Sequence, residues 1–123
     1  MDSFLTKLAA ANKSRVERWH GPVGVISWEP EMWACAAAGE MGEYCNVIKK
    51  LKRHKDGLQQ KGVYIDHTHS AIHQNLIKDA AMEIGDIVVY LDLNAQRLGL
   101  TLEECIRSTF NRISIRENFP ERL

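Results

Sequence analysis

The chain has 123 residues, 45% of them hydrophobic, and its 16 basic side chains balance 16 acidic ones. That length suits one domain around a single core, and the composition excludes a disordered chain. Zero net charge gives no global attraction to nucleic acid or to an anionic membrane, and no stretch approaches the roughly 20 apolar residues of a membrane span.

Four helical segments are expected, in an all-α bundle. The first covers about residues 2–18, with Phe4, Leu5, Leu8, Ala11 and Val16 at helical spacing. It ends at the breaker His20-Gly21-Pro22, and residues 21–28 form a connector. Pro30 suits the first turn of the second helix, because its missing N–H would be unpaired there anyway. This helix runs to about Arg53. Residues 55–67 are polar with two glycines and read as a loop, with Val63-Tyr64-Ile65 as a short extended piece. The third helix spans about Thr68 to Leu98, with Ile72, Leu76, Ala80, Ile84, Ile87, Val88 and Leu91 along its stripe, and Gly99 as its cap. Thr101 and Glu104 have capping-box spacing at the start of the fourth, and Pro120 closes the folded region. Helices this long in so short a chain need a partner subunit to cover their apolar faces. Cys35, Cys45 and Cys105 are odd in number and lack CxxC spacing. They read as buried reduced thiols, which fits a reducing cytoplasm.

The chemistry lies in two matching tetrapeptides. Glu40-Met41-Gly42-Glu43 is on the second helix and Glu83-Ile84-Gly85-Asp86 on the third. Residues at i and i+3 share a helix face, so each motif projects two carboxylates side by side. Small residues precede both motifs, and the two glycines are expected to mark close packing, since glycine inside a helix costs about 1 kcal/mol relative to alanine. Four carboxylates brought together repel unless a cation joins them. An oxygen-only donor set favours Mg²⁺, with Mn²⁺ able to substitute, and Mg²⁺ commonly binds substrate phosphates. A di-iron bundle would need two Glu-x-x-His motifs, and only Glu17 and His20 have that spacing. His69 and His73 sit at i and i+4 near His67, but no third class of zinc ligand is placed beside them.

With these motifs in place, the chain resembles the MazG-like branch of the all-α nucleoside triphosphate pyrophosphohydrolases. That superfamily carries E-x-x-E on one helix and E-x-x-D on the next, here Glu40/Glu43 and Glu83/Asp86. The strings AAAGEMGEYCNVIKKLKR, KDAAMEIGDIVVYLDLNAQRLGL and TFNRISIRENFPERL follow the family's order of parts over about residues 28–120. The stretch between the motifs, residues 54–70, is longer than in the compact members. The resemblance implies a bundle that forms a homodimer or homotetramer, with sites built between subunits. It also implies hydrolysis of a (deoxy)nucleoside triphosphate to the monophosphate and pyrophosphate. Some phage-encoded relatives act on deoxypurine triphosphates (dATP, dGTP), and such a member would work in the host cytoplasm. The alternatives are a pyrophosphohydrolase for a phosphoribosyl nucleotide and a non-catalytic helical interaction module.

Under this reading Glu40, Glu43, Glu83 and Asp86 hold the metal, and Glu40 or Glu43 takes the proton of the attacking water. Lys50, two turns beyond Glu43, and Arg53, one turn further, are candidates for substrate phosphates. Tyr90 and Asn94 continue the Asp86 face at i+4 and i+8 toward sugar or base. Trp28 and Trp33 are candidates for stacking on a nucleobase, and Asn12 for reading its edge. Arg112 and Arg116 share a face near the C-terminus and are candidates for phosphates across a subunit interface.

Overall fold

A computed structural model describes residues 3–60 and 67–123. Among these residues the chain is all-helical: α1 (Phe4–His20), α2 (Pro30–Gln60), α3 (Ala71–Arg97) and α4 (Leu102–Arg116), with short 3₁₀ turns at Gly24–Ser27 and His67–His69. The extended piece expected at Val63–Ile65 lies outside the described residues.

Local chemistry sets most of the helix ends. The Ser3 hydroxyl accepts from the Thr6 N–H, and Thr101 does the same for Glu104, so each satisfies a donor that the first turn cannot pair internally. Gly99 takes φ 75°, and the Leu100 N–H returns to the Ala95 carbonyl at 2.8 Å, the wrap expected of a glycine-terminated helix. Ser70 caps α3, its hydroxyl accepting from the His73 N–H at 3.0 Å. The end of α2 departs from expectation. The helix continues past Arg53 and through Gly57 to Gln60. Lys52 and Asp56 pair at 2.8 Å one turn apart in this segment, an exposed pair that offsets only part of the roughly 1 kcal/mol cost of the glycine, and Leu58 is half-buried.

The chain divides into two compact units, residues Met1–Ala34 with Val89–Leu123, and residues Cys35–Val88. The core of the first unit is Val16, Trp33 and Leu93, with Val25, Trp28, Val89 and Tyr90 against it. A polar bridge joins α1 to α3 beside that core. The Asn12 amide donates to the Val89 carbonyl and to Asp92 Oδ2, both at 3.0 Å. Gln96 donates to the same Asp92 oxygen at 2.9 Å and to the Ala9 carbonyl at 3.1 Å. Asp92 is 1% exposed. A carboxylate so buried is tolerable because two donors meet it, and losing either would leave it underpaired.

The second unit is a hairpin. Its two helix segments run antiparallel, since Glu40 lies beside Glu83 near the end opposite the His54–Ser70 pair. Among the described residues Ala37, Val47 and Ala80 are its buried apolar ones, whereas Ile72, Ile77, Met82 and Ile84 are exposed. Several apolar positions therefore break with the expected stripes. Ile84 and Leu91 are exposed on α3, and Phe4 and Ala11 on α1. Cys35 and Cys45 are exposed and Cys105 is half-buried, so the buried-thiol expectation fails. The reason is common to all of them: a helix packed on one side leaves its remaining faces open. Gly42 and Gly85 have nothing within 4 Å of where a Cβ would stand, so close packing does not account for them.

Candidate acidic site on the helical hairpin

The second unit brings the two acidic motifs together. Carboxylate oxygens of Glu40, Glu43 and Glu83 all lie within 4.8 Å of one another. Glu40 and Glu83 are half-buried, whereas Glu43 and Asp86 are exposed. Asp86 lies outside that triad but close enough to act on Glu40 through its charge. With both carboxylates ionised, two of the oxygens, Glu40 Oε2 and Glu83 Oε2, are buried without a donor. A buried acceptor without a donor carries a desolvation penalty, and a divalent cation is one species that would relieve it at an all-oxygen site.

Crowding also shows in proton affinity. The Glu40 carboxyl is pushed up from 4.5 to about 7, first by its hydrogen bond with Glu83, then by desolvation, then by the charges of Glu43, Asp86 and Glu83. A raised folded-state value means that the folded protein holds a proton the unfolded chain has lost. The stabilisation from Glu40 is fully present below about pH 4.5 and disappears as pH rises through about 7. In the metal-free protein, a ¹³C-carboxyl NMR titration should show one glutamate with its midpoint near 7. If every glutamate titrates below about pH 5, the ordinary range, the crowding described here is wrong.

A groove of about 280 Å³ opens from this cluster. Glu43 and Glu83 belong to both, and Asn46, Lys50 and Asp79 continue the walls over Val47. Lys50 is therefore placed beside the acids, as its spacing from Glu43 suggested. Asn46 and Asp79 were missed in the sequence. The signal was available, since they lie three residues after Glu43 and four before Glu83, each on a face already singled out. Arg53 is exposed on α2 and does not line this groove.

The remaining candidates belong to the first unit, and most have structural partners. Asn12 is 3% exposed, and its amide is committed to Val89 and Asp92 while its carbonyl oxygen faces Arg15. Trp33 is 1% exposed, and its indole N–H donates to the Val25 carbonyl. Neither has a free edge or face for a base. Trp28 and Tyr90 are half-buried in the same aromatic cluster, 4.5 and 6.2 Å from Trp33, with His20 edge-on to Trp28. Asn94 is half-buried with its Oδ1 unpartnered. Arg112 and Arg116 are exposed on α4, and Arg116 pairs with Glu117. Neither His69 nor His73 joins a set of candidate metal ligands among the described residues.

Comparison with known proteins adds nothing to this picture: no family model, curated protein or solved structure matches the chain. Among the described residues no helix is long and apolar enough to cross a membrane.

Proposed function

We propose that this protein is a MazG-like, magnesium-dependent pyrophosphohydrolase that converts a nucleoside triphosphate to its monophosphate and pyrophosphate. The observation that carries the reading is the cluster itself. Three carboxylates from two antiparallel helix segments converge within 4.8 Å, two of their oxygens are buried without partners, and a fourth acid acts on the group electrostatically.

The residues divide the work by position. Glu40, Glu43, Glu83 and Asp86 would hold Mg²⁺ (or Mn²⁺) by oxygen alone, which suits either ion. Such an ion, when bound, would supply charge neutralisation at the phosphate oxygens and a more acidic water. Glu43, exposed and facing the groove, is the better placed proton acceptor, because Glu40 is half-buried and engaged with Glu83. Lys50 offers positive charge to the phosphate chain from the groove wall. Deoxypurine triphosphates are the first substrates to try, as the resemblance suggests. The test is a turnover panel of the canonical ribo- and deoxyribonucleoside triphosphates with Mg²⁺ or Mn²⁺, resolving pyrophosphate from phosphate. No release from any of them by folded, metal-supplied protein would end this reading.

The same reading includes a homodimer or homotetramer. Among the described residues the hairpin buries only small or medium apolar side chains and exposes Met41, Ile48, Ile72, Ile77, Met82 and Ile84. A second copy is the simplest cover for such a surface. Light scattering should return at least twice the 14.0 kDa of one chain, and a stable monomer at micromolar concentration would contradict it.

A further inference from the structure

The groove beside the acidic cluster has a direction. Its walls share Glu43 and Glu83 with the cluster, then pass Asn46 and reach Lys50 and Asp79. Along α2 these are one and two turns beyond Glu43, and along α3 one turn before Glu83. The groove therefore leads away from Glu40 and Asp86. Its donors are an ammonium and an amide, both suited to phosphate oxygens. Its volume of about 280 Å³ falls below the roughly 300–1,000 Å³ of sites that enclose a whole drug-sized ligand. A short phosphate chain with its water fits within it.

Resting on the pyrophosphohydrolase reading, we propose that this groove seats the two phosphates that leave, with Asn46 and Lys50 as their donors and Asp79 as the charge that hastens their departure. In the reaction, the water oxygen bonds the α-phosphorus and the bond from that phosphorus to the bridging oxygen breaks. The bridging electron pair stays on pyrophosphate, and the water's proton goes to Glu43. Pyrophosphate then lies between Lys50, which attracts it, and Asp79, which repels it. The nucleoside lies on the opposite side of the cluster from Lys50. Asn46 and Asp79 thus set how tightly the product is held, and they discriminate phosphate chain length rather than base.

The experiment is calorimetric titration of the full-length protein, with Mg²⁺ present, using inorganic pyrophosphate and separately dAMP and dGMP. Turnover is measured on the same preparations. Lys50→Gln should weaken pyrophosphate binding by about tenfold or more, the size of one lost charge-assisted contact, and leave monophosphate binding within about twofold. Asn46→Ala should act in the same direction, more weakly. Asp79→Asn should tighten pyrophosphate several-fold and strengthen its inhibition of turnover, an effect that general damage to the fold would not produce. If Lys50→Gln weakens the monophosphates and spares pyrophosphate in an active enzyme, the groove seats the nucleoside side and the orientation is overturned while the reaction stands. If the wild type binds none of the three and releases no pyrophosphate, the pyrophosphohydrolase reading fails, and this orientation with it.

Discussion

Glu43→Gln should abolish pyrophosphate release while leaving the fold intact. Glu43 is exposed and faces the groove, so the amide fits where the carboxylate was and no packing is lost. The substitution removes a metal ligand of full charge and, in the same step, the group placed to take the proton from water. General-base loss alone accounts for about 10²–10⁴-fold in rate, and a weakened metal site adds to it. The expected result is a fall in kcat/KM of at least about 10³-fold, with an unchanged circular dichroism spectrum. A variant that keeps a tenth or more of the activity would remove Glu43 from the machinery and return the role to Glu40.

Glu40→Gln should reverse the order of stability depending on metal. Without metal, at about pH 8, the wild type carries an ionised Glu40 among three other acids, above the pKa of about 7 that their proximity imposes. Glutamine mimics the protonated form and keeps a donor toward Glu83, so the metal-free variant should melt higher than the wild type. Below about pH 4.5 the difference should vanish, because both side chains are then neutral. With Mg²⁺ at ten times its Kd, the wild type gains about 1.4 kcal/mol by mass action, whereas the variant, short of one ligand charge, gains a small fraction of that. Melting curves at both pH values, with and without Mg²⁺, give the answer. Equal Mg²⁺ stabilisation of both proteins would show that the cation, if bound, sits elsewhere.

What could be read from the sequence follows the range of each interaction. Pro30, Gly99 and Thr101 marked helix ends correctly because their effects are local: a missing N–H, a left-handed backbone, a hydroxyl three residues from the donor it satisfies. The convergence of Glu40, Glu43 and Glu83 was legible for the same reason, since each motif sets its own face and antiparallel helices bring two faces together. Burial was less legible. Cys35, Phe4 and Ile84 sit at apolar-looking positions, but whether a face is covered depends on which element lies over it. Asn12 looked like a base reader. Its partners Val89 and Asp92 are 77 and 80 residues away, and no local pattern announces that bridge. Gly57 looked like a breaker, yet the Lys52–Asp56 pair just before it lies within a helix that runs to Gln60.

The two glycines inside the acidic motifs have a consequence for anyone wishing to alter this protein. Gly42 and Gly85 sit in helical backbone with open space where a methyl would go. Alanine at either would be accommodated and would restrict the unfolded chain, a gain of roughly 0.4–1 kcal/mol apiece. The protein thus forgoes rigidity in the very turns that carry its carboxylates. Within the chain those turns have unused tolerance: they can be stiffened without disturbing another part of the same chain, and what activity does in response would measure how far the reaction depends on compliance in the frame rather than on the identity of the acids it carries.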